Sequence, residues 1–157
     1  MNIVKELMIG DLVNYRPGWI NEETSQVEYE CDNGFPVKIE MLYYSGGEWL
    51  VQYNDGENNG IEAAEYELFP IPITAEILEK NGFERGTYEL PVSGKKIPKY
   101  SYAEVEGDIK EVALLPLTMN STWSFGAVDG MHIPVLQFVH QLQHALRLCG
   151  IEKTIEL

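Results

Sequence analysis

In the first part of the chain, apolar residues recur at every second position, the period of strands with one face buried. Asp11-Leu12-Val13-Asn14-Tyr15 follows Gly10 and predicts an opening strand. Val27, Tyr29 and Cys31 alternate with Glu28 and Glu30. Val37 to Tyr44 is rich in apolar and aromatic residues and is separated by Gly46-Gly47 from Glu48-Trp49-Leu50-Val51-Gln52-Tyr53. Two such runs around a glycine pair are a hairpin signal. Asn54 to Gly60 is a turn cluster, and Ile61 to Phe69 returns as a last short strand. About five short strands in about 70 residues predict a small, strongly bent SH3-like β-barrel.

The pattern breaks at Pro70-Ile71-Pro72-Ile73-Thr74. Prolines two apart suit neither a helix interior nor a central strand, so this segment is read as a junction between residues 1–72 and 73–157. Thr74 then fits an N-cap, Glu76 lies where the helix dipole favours it, and Asn81-Gly82 supplies a left-handed stop. A short helix is expected near 75–81. Strands are expected at Thr87–Leu90, Lys99–Val105, Ile109–Leu117 and Thr122–Val128. Near the end the step changes to three and four: Val135, Phe138, Val139, Leu142, Leu146 and Cys149 form one stripe. With Pro134 in the first turn and Gly150 past the end, a helix over 134–149 is expected to pack on an antiparallel sheet. The fold class is α+β.

Charge adds a second asymmetry. The 157 residues carry a net charge of −14 and are 45% hydrophobic, enough apolar material for a core. Residues 1–72 hold 14 acidic and 3 basic side chains, a net of −11; residues 73–157 hold 11 and 8, a net of −3. Such a field repels phosphate backbones and argues against nucleic-acid binding, while attracting basic partners. Apolar runs fall far short of the ~20 residues that span a bilayer, and Lys5, Glu6 and Asp11 interrupt any signal-peptide core. A cytoplasmic protein that does not enter membranes is expected, with Cys31 and Cys149 as reduced thiols.

Three groups are candidates for chemistry. His140 and His144 are i and i+4 on the last helix and could ligate a metal, with His132 as a third ligand. A zinc protease would place a glutamate after the first histidine; here Gln141 stands there and has no proton-accepting carboxylate. On the helical wheel both histidines fall outside the apolar stripe, so polar-face positions are expected. Asp55, Glu57, Asn59 and Gly60 resemble the start of a calcium loop, but Tyr66 occupies the position that needs a bidentate glutamate, so a hairpin turn is expected instead. Tyr15, Trp19, Tyr43, Tyr44, Trp49 and Tyr53 cluster in the acidic part, where aromatic rings and carboxylates in one groove could hold a proline-rich or basic peptide. Alternation sends about half of them inward. Lys95, Lys96 and Lys99 form a small basic cluster read as a solvated loop. No phosphate-binding loop, dinucleotide fingerprint or nucleophile elbow is present, and no cofactor is called for.

Glu6 to Val13 (E-L-M-I-G-D-L-V), Ile71 to Phe83 (I-P-I-T-A-E-I-L-E-K-N-G-F) and Phe138 to Gly150 (F-V-H-Q-L-Q-H-A-L-R-L-C-G) are read together. They resemble a family of small proteins from gut Bacteroidales genomes, often encoded near phage or mobile-element genes, with L-x-I-G-D-x-V, P-I-x-L-T-x-x-I-L-x-x-N-G-F and V-H-x-L-Q-x-x-L-R-L-C-G segments. Ile73 stands where leucine is usual, and Gln141 where glutamate is common. The resemblance carries no catalytic role to any residue. It implies a cytoplasmic bacterial protein with a prophage-linked accessory role. The expected function is therefore a non-enzymatic protein-interaction module of phage or mobile-element origin. The alternatives are a metal-binding protein or enzyme using His132, His140 and His144, and an acidic mimic of DNA.

Overall fold

The computed structural model describes residues 3–54, 57, 60–106, 108–117 and 122–157. Asp55 and Asn59 of the calcium-like turn lie outside the described residues. The chain forms two compact units, Met1–Ile71 and Pro72–Leu157.

The first unit opens with a 3-10 turn at Ile3–Glu6, followed by β1 (Leu12–Tyr15), β2 (Gly18–Ile20), β3 (Val27–Tyr29), β4 (Phe35–Ser45), β5 (Glu48–Asn54) and β6 (Ile61–Ala64). A second 3-10 turn at Glu65–Glu67 leads into β7 (Leu68–Phe69). A five-stranded antiparallel sheet has the order β6-β5-β4-β1-β7, and β2 and β3 form a separate ribbon. Among the described residues no ladder joins β6 to β7, so the sheet is open rather than the SH3-like barrel expected from strand spacing. β7 is two residues long and its pairing goes to β1, at Asn14↔Phe69 and Tyr15↔Leu68.

Gly46 and Gly47 turn the β4–β5 hairpin with φ of +62° and +93°. Positive φ at both central residues is the two-residue turn whose twist matches its strands. A register shift between Ile39 and Met41 puts one extra residue into β4. Alternation therefore slips by one, and Leu42 packs on the core while Met41 is exposed. The core holds Val13, Val37, Ile39, Val51, Tyr53, Ala63 and Leu68, with Val4 and Leu7 from the opening segment. The buried Asp11 carboxylate accepts from the Met8 N–H at 2.7 Å, and Gly10 donates to the Ile39 carbonyl, fastening that segment to β4.

The second unit comprises α1 (Ala75–Lys80), β8 (Glu84–Glu89), β9 (Lys96–Glu106), β10 (Asp108–Pro116), β11 (Trp123–Ala127), β12 (His132–Leu136) and α2 (Val139–Leu148). The strands form an antiparallel meander in the order β12-β11-β10-β9-β8. The Thr74 hydroxyl accepts from the Ile77 N–H at 3.3 Å, and Gly82 takes φ of +77° beyond the helix. Ile73 is held on both sides, its carbonyl accepting from the Trp123 indole at 3.1 Å and its N–H donating to the Gln137 carbonyl. The last segment is docked as well. Ile151 and Ile155 are buried, and the Asn81 amide bonds both the N–H (2.8 Å) and the carbonyl (2.7 Å) of Glu156.

Two expectations are corrected here. The last helix begins at Val139, not Pro134. Pro134 and Val135 belong to β12, an edge strand, where a missing N–H is tolerated. The helix start is set instead by Gln141, whose side-chain oxygen accepts from the backbone N–H of Gln137 (2.9 Å) and Phe138 (3.3 Å). That is the returning arm of a capping box, a role glutamine and glutamate fill equally. His140, expected on a polar face, is fully buried. Six of the ten α2 residues are buried, a wider arc than a single apolar stripe.

Candidate functional site

The first unit has a groove of about 800 Å³ between the β2–β3 ribbon, the β4–β5 turn and the segment from the second 3-10 turn to Pro70. Each wall has a physical origin. The ribbon offers Ile20 and Tyr29; the hairpin turn offers Tyr44, Glu48 and Trp49; the last segment offers Glu65, Tyr66, Leu68 and Phe69, and Lys5 also lines the space. Tyr44 and Trp49 are cross-strand partners, and their rings meet edge to face at 5.5 Å. Tyr29 meets Phe69 at 5.6 Å in the same manner.

The ribbon wall is fixed by polar contacts. The Arg16 guanidinium lies 4.1 Å from the Tyr29 ring centre and donates to the Cys31 carbonyl at 2.5 Å. The Tyr29 hydroxyl donates to the Tyr66 carbonyl at 3.0 Å. Glu67, 9% exposed, accepts from the Gly18 N–H (3.1 Å), the Tyr15 hydroxyl (3.4 Å) and the Ala64 N–H (2.8 Å). Burial, followed by the charges of Glu67 and Glu48, pushes the Tyr66 phenol above its ordinary value.

Of the six aromatic residues picked out from the sequence, Tyr44 and Trp49 meet on the groove wall and the other four lie elsewhere. Tyr53 is 2% exposed and belongs to the core, with the half-buried Tyr15 ring 4.7 Å from it. Trp19 is exposed on β2, and Tyr43 hydrogen-bonds Glu62; neither lines the groove. Tyr29, Tyr66 and Phe69 are the rings that reasoning from sequence passed over. The only signal for Tyr66 was its position between Glu65 and Glu67.

The histidines are also distributed. The His140 ring stacks on Phe138 at 5.9 Å and 9°, and meets His144 at 5.9 Å edge to face. His132 is exposed on β12, with its Nε2 3.0 Å from the Ser124 hydroxyl. Among the described residues no group of three histidine, cysteine, aspartate or glutamate side chains is arranged to hold a metal ion. Both cysteines are free thiols. A trough of about 330 Å³ on the sheet of the second unit is lined by residues including Lys99, Glu111, Ala113, Ser124, Gly126 and His132. Among the described residues no helix is long and apolar enough to cross a membrane. Comparison of the chain with protein-family models, with curated proteins and with solved structures found no match.

Proposed function

We propose that the first unit is a non-enzymatic docking module whose groove takes an extended, proline-rich segment bearing arginine or lysine. The observation that carries this reading is the groove itself: two edge-to-face aromatic pairs flank it and Glu48 and Glu65 line it, in a unit of net charge −11. Proline-rich segments hold a polyproline II shape before binding and lose little entropy on docking between aromatic rings. Their apolar rings suit the Tyr29–Phe69 and Tyr44–Trp49 walls, and the carboxylates favour a cationic side chain beside them.

The test is binding of the full chain to synthetic peptides of about ten residues, proline-rich with arginine at varied spacing, alongside controls with glutamate for arginine. Tryptophan fluorescence or calorimetry reads the affinity. Dissociation constants of about 1–100 μM are expected for the arginine set, weakening with added salt, and no binding for the glutamate set. Trp49→Ala should weaken binding about tenfold, the scale for an aromatic anchor. Failure of every arginine peptide to bind below about 1 mM would refute the proposal.

A further inference from the structure

We infer that Glu67 is the positioning residue of the groove: its carboxylate latches the β2–β3 ribbon to the 3-10 turn and so sets where the Tyr29 wall stands. This deepens, and rests on, the reading of the groove as a peptide dock.

The ribbon is outside the five-stranded sheet, so sheet hydrogen bonds do not locate it. Its position depends on a few cross-links. One carboxylate oxygen of Glu67 accepts from the Gly18 N–H at the start of β2 and from the Tyr15 hydroxyl at the end of β1. The other accepts from the Ala64 N–H at the end of β6. The backbone carbonyl of the same residue accepts from the Arg16 N–H at 2.8 Å. A single side chain thus gathers three strands at one joint. A carboxylate is suited to this because it only accepts, at both oxygens, and a bond to a charged acceptor is about twice as strong as a neutral one. The fit at the joint is close. A Cβ on Gly18 would stand 2.7 Å from the Glu28 carbonyl oxygen and 2.8 Å from Tyr29 Cδ1, so the ribbon start has no slack. Tyr29 adds the second tie, through its hydroxyl to Tyr66. Removal of the carboxylate should therefore let the Tyr29 wall move while the core of Val13, Val37, Ile39 and Val51 stays packed.

The experiment uses the full chain and Glu67→Gln, which keeps shape and volume but turns one acceptor into an NH2 donor facing an N–H. The probe is the tightest arginine–proline peptide of the set above. Three quantities are read: peptide affinity, thermal unfolding, and amide hydrogen exchange of residues 18–29 against that of the β4–β5 core. The expected result is a cooperative fold with core exchange unchanged, ribbon exchange faster by about tenfold or more, and affinity about tenfold weaker. Tyr29→Phe, which cuts the second tie and keeps the ring, should weaken binding in the same direction. Combined with Glu67→Gln it should act non-additively. A purely structural role would lower unfolding temperature without changing the affinity of the folded protein. Affinity equal to wild type in Glu67→Gln, or unchanged ribbon exchange, overturns the inference. If Glu67→Gln does not fold, Tyr29→Phe carries the test by the same two readouts. If wild type binds no peptide, the docking reading fails, and the ribbon exchange of Glu67→Gln still decides whether the latch exists.

Discussion

Replacement of Asn81 by alanine tests how the second unit is closed. Asn81 is 4% exposed and makes three bonds: Nδ2–H to the Ile77 carbonyl at 2.8 Å, Nδ2–H to the Glu156 carbonyl at 2.7 Å, and Oδ1 from the Glu156 N–H at 2.8 Å. Each bond contributes about 1 kcal/mol net, and a buried group left unmatched costs about 1–3 kcal/mol. Glu156 is itself exposed, so water can reach its backbone once the amide is gone, which favours the low end. The direct loss is about 2–4 kcal/mol. The clamp also holds Ile155 near the helix, and burial of each isoleucine contributes about 1.5–3 kcal/mol. If the tail detaches, those contributions go with it. For a unit of this size about 1 kcal/mol shifts the unfolding midpoint by about 4–8 °C, so Asn81→Ala should lower it by about 10–25 °C. Circular dichroism melting measures this. A coupling test sharpens it: Ile155→Ala alone should cost about 2–5 kcal/mol, yet the double variant should lose less than the sum, because both act by freeing one tail. A loss below about 0.5 kcal/mol for Asn81→Ala, or full additivity, would refute the clamp.

Gly34→Ala should destabilise the first unit by about 1–3 kcal/mol in denaturant unfolding, since its Cβ would stand 2.7 Å from the Tyr15 carbonyl oxygen, a backbone atom that cannot turn aside. Gln141→Glu should leave stability within about 0.5 kcal/mol, whereas Gln141→Leu, which removes the cap acceptor, should cost about 0.5–2 kcal/mol in the same measurement. The Tyr15 phenol is raised above its ordinary value of 10.0 by burial first and then by the Glu67 charge. Its folded pKa exceeds the unfolded one, so its contribution is complete below about pH 10 and declines as pH rises beyond that, by at most about 1.4 kcal/mol per pH unit. Unfolding measured from about pH 8 to about pH 11 should show this loss, and Tyr15→Phe should flatten it.

Local signals in the chain were legible where the chemistry is local. Thr74 and Asn81-Gly82 mark the two ends of α1, and Gly46-Gly47 marks the hairpin, because caps and turns are set by the residues that form them. What stayed hidden depends on tertiary partners. Strict alternation along β4 puts Met41 and Tyr43 on the face of Ile39; the extra residue at the bulge exchanges them for Leu42 and Tyr44, and so delivers Tyr44 rather than Tyr43 to Trp49. A bulge has no fixed sequence mark. His140 lies outside the stripe drawn from a single period, and burial of a second helix face depends on what else covers α2, which periodicity does not encode. The groove was legible as a set of aromatic residues in an acidic segment, but its membership was not, since Tyr29 and Phe69 meet only once the ribbon is placed.

Pro134 has one further effect. It withholds an N–H from the outermost strand on one rim of the second sheet, and on the other rim β8 presents Glu84, Arg85 and Glu89 to solvent. A chain arriving side-on meets a missing donor at one border and a row of charges at the other. Growth of the meander beyond five strands is thereby discouraged, and recruitment of a partner by strand addition is disfavoured for this half of the molecule.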